Sequence, residues 1–119
     1  MRIRALLVCA VLACLAPACK TWAVKGKVTA SIDAIKKVNR GEELAFTVHM
    51  ADSSGKRIEG LAYEWSIDWV GLPGGRHKGK SGAQQTIRVK GQSGKATLFV
   101  RTYEGDSPVE LAKQDFEVE

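Results

Sequence analysis

Past residue 19 the chain contains no cysteine; Cys9, Cys14 and Cys19 all fall in the opening stretch. A disulfide framework is thereby excluded from whatever folds downstream. Histidine is nearly as scarce, with only His49 and His77, and a metal site needs several such side chains converging. No spacing here provides that, so neither a metal nor a cofactor is expected. No ten-residue apolar stripe at helical spacing occurs, and no internal repeat. What remains is a chain patterned for strands.

The opening residues, MRIRALLVCAVLACLAPAC, have a layout of their own. Arg2 and Arg4 make a basic start, residues 5–15 form an apolar run, and Ala16-Pro17-Ala18 supplies small residues. That is the layout of a secretory signal, too short to persist as a membrane span. Residues 1–18 are expected to be a signal peptide and the product to be exported, either periplasmic, anchored at the outer membrane, or secreted. Cys19 follows L-A-P-A, and the segment resembles a bacterial lipoprotein lipobox. The resemblance implies cleavage before Cys19 and a lipid anchor on it, the chain's expected link to a membrane. Ala16 and Pro17 depart from the usual pattern, while Val11-Leu12-Ala13-Cys14 fits better but lies early. The alternative is ordinary cleavage after Ala18 or Ala23 and a free soluble product. Cleavage before Cys19 leaves roughly 100 residues, one domain's worth. Residues 19–26 read as a short tether and residues 27–119 as the folded part.

Within 27–119 the apolar residues run at period two. Val28, Ala30 and Ile32 alternate with Thr29, Ser31 and Asp33; Leu44, Phe46, Val48 and Met50 alternate with Ala45, Thr47 and His49. Tyr63, Trp65, Ile67 and Trp69 follow the same rule, as do Ile87 and Val89. These are half-buried strands. ATLFVRTY (96–103) leaves open whether Phe99 and Tyr103 face the core or solvent. Near the end, Val109 and Leu111 sit on one parity and Phe116 and Val118 on the other; a bulge near Ala112–Gln114 would reconcile them. NRGEE, DSSGK, GQSG and EGDSP supply turns between. The expected fold is all-β, an antiparallel β-sandwich of about seven strands. VNRGEELAFTV, DSSGKRIEGLAYEW and GKATLFVRTYEG together resemble the framework of PKD-like and bacterial immunoglobulin-like domains. That resemblance implies an immunoglobulin-like sandwich with Trp65 in its core, and is almost silent on function. SIDWVGLPGG departs from it where PKD domains often carry Gly-Asp-Gly, and the loop that follows is longer and more basic.

That loop holds GGRHKGKS (74–81), which fits the phosphate-loop pattern G-x-x-x-x-G-K-[ST]. A phosphate loop needs a helix after it, so that backbone N–H groups and the helix terminus hold the phosphates. Here GAQQTIRVK follows, a glycine and then a period-two strand. Seven of the twelve glycines lie between Gly71 and Gly94, so a chance match to a loose pattern is unsurprising. No nucleotide is expected.

The same stretch is rich in cations. From Arg76 to Lys95 there is no acid, whereas acids dominate from Glu104 onward. Arg76, His77, Lys78 and Lys80, with Arg88 and Lys90 along the next strand and Trp69 beside the loop, form the candidate contact set. Its expected partner is an anionic envelope protein or glycan, or lipid headgroups; a solvated hairpin is the plainer reading. No aromatic residue lies inside the basic stretch to stack on bases, so nucleic acid is not expected. Trp69 reads either as a plug for one end of the sandwich or, with Tyr103, as a sugar-stacking platform. Asp52-Ser53-Ser54-Gly55 reads as a tight turn rather than a calcium loop. Glu64 and Asp68 share a strand face that Arg101 can neutralise. No set of side chains suggests catalysis, and the expectation is a non-enzymatic binding or structural module of the cell envelope. The alternative is a periplasmic inhibitor that inserts the basic loop into the cleft of an envelope hydrolase.

Overall fold

A computed structural model describes residues 22–33, 35 and 37–119. The leader and Cys19, with the expectations attached to them, lie outside the described residues. Among the described residues eight strands follow in order: β1 (Thr29–Ile32), β2 (Glu43–Ala51), β3 (Arg57–Ile58), β4 (Ala62–Val70), β5 (His77–Lys80), β6 (Gln84–Arg88), β7 (Gln92–Glu104) and β8 (Ser107–Val118). They form two antiparallel sheets packed as an immunoglobulin-like sandwich. The first holds β1, β2, β3 and β6, and the second runs β5-β4-β7-β8. β1 lies along one side of β2; β3 and β6 share the other side, at Met50–Ala51 and Glu43–Thr47 respectively. Past β1 the chain crosses over, and Val38 pairs in parallel with Val118 at the edge of β8.

The period-two pattern decides which faces meet. Leu44, Phe46, Val48 and Met50 point from β2 toward Tyr63, Trp65, Ile67 and Trp69 of β4 and toward Ala96, Leu98 and Val100 of β7. Leu98 and Val100 are wholly excluded from solvent, and each such burial contributes about 1.5–3 kcal/mol. Phe99, Arg101 and Tyr103 therefore face outward, half-buried. The parity change in β8 is a bulge, with Val100 opposite Ala112 and Arg101 opposite Glu110. The extra residue is Leu111, one position ahead of the expected range.

Two of the eight strands are unexpected. β3 is only two residues long, and β5 is a glycine and three basic residues, with no strand propensity to read. β5 forms because of what it pairs with: Trp65 lies opposite His77 and Tyr63 opposite Gly79. A Cβ at Gly79 would lie 2.7 Å from the Tyr63 ring, so glycine lets the tyrosine lie across the edge strand.

Tyr63 is fully buried, and among the described residues its hydroxyl has no hydrogen-bond partner. Burial pushes its pKa up to about 12 from 10.0. The unfolded chain ionises this tyrosine at the ordinary pH, and the folded chain resists. Its contribution to stability is complete below pH 10 and is lost as the pH rises toward 12. Alkaline unfolding followed by circular dichroism is expected to show a decline in stability above pH 10. Tyr63→Phe should flatten that decline at little cost at neutral pH, since no bond is broken. A variant as alkali-sensitive as the parent would assign the decline elsewhere.

The supposed tether is also part of the fold. Trp22 bridges Ala62 in parallel, and the Ala23 amide donates to the Ala62 carbonyl at 3.0 Å. The buried Thr102 hydroxyl donates to the Ala23 carbonyl at 2.6 Å. Ala23 is 1% exposed. Residues 22 and 23 thus belong to the sandwich, because pairing with Ala62 satisfies backbone groups that a free linker would leave to water.

Candidate functional site

The octet GGRHKGKS becomes an edge strand and a corner. Gly74 packs against the backbone of β4, where a Cβ would overlap the Ile67 carbonyl oxygen at 1.8 Å. Ser81 ends the octet as a buried pivot. Its hydroxyl accepts from the Leu61 amide at 3.0 Å and donates to the Ile58 carbonyl at 2.8 Å. Strand β6, not a helix, follows it, so no helix terminus is aimed at a phosphate.

Pairing with β4 sorts the candidate residues by face. Arg76, Lys78 and Lys80 share one parity and are exposed, whereas His77 and Gly79 point inward. His77 leaves the contact set, because its ring stacks on core Trp65 with centroids 4.3 Å apart and planes inclined by 25°. Trp69 leaves it too. Only 7% exposed, it meets Phe116 edge-on at 6.1 Å and plugs the sandwich rather than presenting a platform. Arg88 and Lys90 do not extend the cluster. β6 pairs with β2 in the other sheet, where Arg88 lies opposite Glu43 and donates to the Gly41 carbonyl. Sequence parity could not show that the chain changes sheets at Ser81.

Three cations therefore remain, in one row on the edge of the second sheet. Among the described residues the ion pairs are Lys37–Glu119, His49–Asp33 and Lys95–Asp115, so none of the three is committed to one. Inward of the row lies a polar cluster. Glu64 stands between Lys78 and Arg101 on the neighbouring strands and is 7% exposed. Its carboxylate accepts a hydrogen bond from Tyr103 at 2.7 Å. This bond raises the Tyr103 pKa, with burial and the Glu64 charge acting in the same sense and the Arg76 and Arg101 charges opposing them. Arg101 donates to Ser66 at 3.1 Å rather than pairing with Glu64. The outer face is thus tied together beside the basic edge.

The remaining chemical candidates are dispersed. His49 sits on the outer face of the first sheet, 3.2 Å from Asp33. Asp52 accepts hydrogen bonds from the Ser54 hydroxyl first and then from the amides of Lys56 and Ser54, which lower its pKa; this is the expected tight turn.

One further residue joins the basic edge, and sequence reading passed it over. Trp22 lines a shallow recess with Ala62, Lys78, Gly79 and Lys80. Only the docking of residues 22 and 23 brings it there, and nothing in a stretch read as linker signals that.

Known proteins add little. No family model matches the chain, and no curated protein does. Among solved structures it is similar to an alkylpurine DNA glycosylase of Pseudomonas fluorescens bound to DNA containing an abasic-site analogue. The identity is 18% and the TM-score 0.46, over 78% of this chain and 30% of that one. It is also similar to the CARDB domain of a Pyrococcus furiosus protein in complex with di-metal ions. There the identity is 16% and the TM-score 0.45, over 78% of this chain and 88% of that one. The chain spans under a third of the glycosylase, and likeness this distant carries no argument about activity or ligand.

Proposed function

We propose that this protein is a non-catalytic contact module of the cell envelope that binds an anionic protein or glycan through its basic sheet edge. The observation that carries the reading is the row Arg76, Lys78 and Lys80. Lys78 and Lys80 share one parity of the edge strand β5 and Arg76 immediately precedes it; all three are exposed and uncommitted to an ion pair among the described residues. Such a row draws a partner of opposite charge and sets its register. It acts as a flat edge held by β4 rather than as a projecting loop, which favours surface contact over insertion into an enzyme cleft. Lysines on an edge strand also discourage sheet-to-sheet aggregation, and a test has to separate the two roles.

The triple variant Arg76→Gln, Lys78→Gln and Lys80→Gln touches no core position and sets no second carboxylate opposite Glu64. Its stability is expected to stay within about 0.5 kcal/mol of the parent. Capture of partners from an envelope extract should fall for the variant and, for the parent, at high salt. Capture indifferent to both changes would leave the edge a guard against aggregation and remove the proposed site.

A further inference from the structure

We infer that the N-terminal corner of the sandwich, Trp22 to Lys27, is a docking face for an anionic bilayer surface. Ala23 is the pin, buried at 1% exposure and bonded on both sides of its peptide unit to Ala62 and Thr102. The residues flanking it turn away from the core. Val24 is 46% exposed and, with Leu72, makes up the exposed large apolar side chains of the described residues. Trp22 is half-buried among Lys78, Lys80 and the backbone between them. A tight turn follows at once, with the Lys27 amide donating to the Val24 carbonyl at 3.0 Å and Gly26 at φ 88. It presents Lys25 and Lys27 to solvent.

One indole, one bare aliphatic side chain and four lysines around them match the chemistry of a headgroup layer. Indole rings settle at the boundary between headgroups and hydrocarbon. Lysines close to an anionic surface each add attraction that fades within a Debye length. Chain length supplies the direction. Cys19, the expected acylation site, precedes Trp22 by three residues, and successive Cα atoms are 3.8 Å apart, so the two lie within about 11 Å. Lys20 falls in that interval. A membrane holding Cys19 therefore meets this corner first. The docking face takes in Trp22, Val24, Lys25 and Lys27 and so goes beyond the partner edge, sharing only Lys78 and Lys80 with it.

The test uses the chain from Lys20 onward, which contains every core residue among the described residues. It is sedimented with vesicles of phosphatidylcholine alone, or with a quarter phosphatidylglycerol, at low and high salt. Binding is expected to the anionic vesicles only, and to weaken with salt. Trp65 and Trp69 are already in the core, so a blue shift of tryptophan fluorescence on binding would report Trp22. The variant Val24→Asp, Lys25→Glu, Lys27→Glu should melt like the parent and bind about tenfold more weakly or worse. Equal binding to both vesicle types, or undiminished binding by that variant, would overturn the inference. Vesicles ignored while an anionic protein or glycan is captured through Lys78 and Lys80 would overturn it and leave the partner reading standing. Neither bound would remove both.

Discussion

Trp65→Ala is expected to lower the free energy of unfolding by about 3–5 kcal/mol, a large share of the roughly 5–15 kcal/mol available to a domain. Trp65 is 3% exposed and stands where three strands meet. Its ring takes the edge of Phe46 at 4.9 Å and 84°, which joins β4 to β2 in the opposite sheet. It also stacks on the His77 ring, which holds the edge strand β5 down. Alanine would leave a cavity between the sheets and strip β5 of that support. Among the described residues the indole N–H is without a hydrogen-bond partner, so no polar bond is lost and the whole cost is packing. Trp65→Phe should accordingly recover much of the stability. Urea unfolding would measure both, and a loss under about 1 kcal/mol for alanine would mean that the ring does not bridge the sheets.

Ser81→Ala is the second large effect, at about 1–3 kcal/mol, because it strands a partly buried donor and a partly buried acceptor together. The hydroxyl serves the Leu61 amide and the Ile58 carbonyl, while the Ser81 backbone bonds to Leu61 and Gly60 at 2.9 Å each. All four bonds clamp the chain where it leaves the second sheet for the first, and Ser81 is 2% exposed. Hydrogen exchange offers a local readout beside global unfolding. The Leu61 amide should lose protection in the variant by more than amides at the centre of β7. Uniform loss across the sandwich would show that the corner is not a separate clamp.

The residues that announced themselves did so through parity. Leu44, Phe46, Val48 and Met50, and likewise Trp65 and Ile67, alternate so regularly that one face could only be core. GGRHKGKS could be set aside because period two, not a helix, follows it. What stayed hidden depended on partners far along the chain. His77 carries no mark of turning inward and does so because Trp65 lies opposite; Trp69 shares the core parity of its strand, and the edge-on contact with Phe116 decides between plug and platform. Arg88 read as neighbour to Lys80, since sequence distance cannot show a change of sheet. Ala23 looked like linker because a single alanine has no pattern, and its bonds to Ala62 and Thr102 make it an anchor point.

The pairing of Val38 with Val118 bears on the order of assembly. Any chain released N-terminus first exposes Val38 long before Val118 exists to receive it, and Ala23 must wait in the same way for Thr102. Closing contacts of such long range spends chain entropy before it is repaid, and it slows the search for the native arrangement. Until β7 and β8 arrive, β4 has beside it the short strand β5 and the pairing of Trp22 and Ala23 with Ala62. The N-terminal half is thus committed to remaining unfinished, its strand edges open, until β8 has emerged. A helper that shields exposed edges would have its moment of greatest use in that interval.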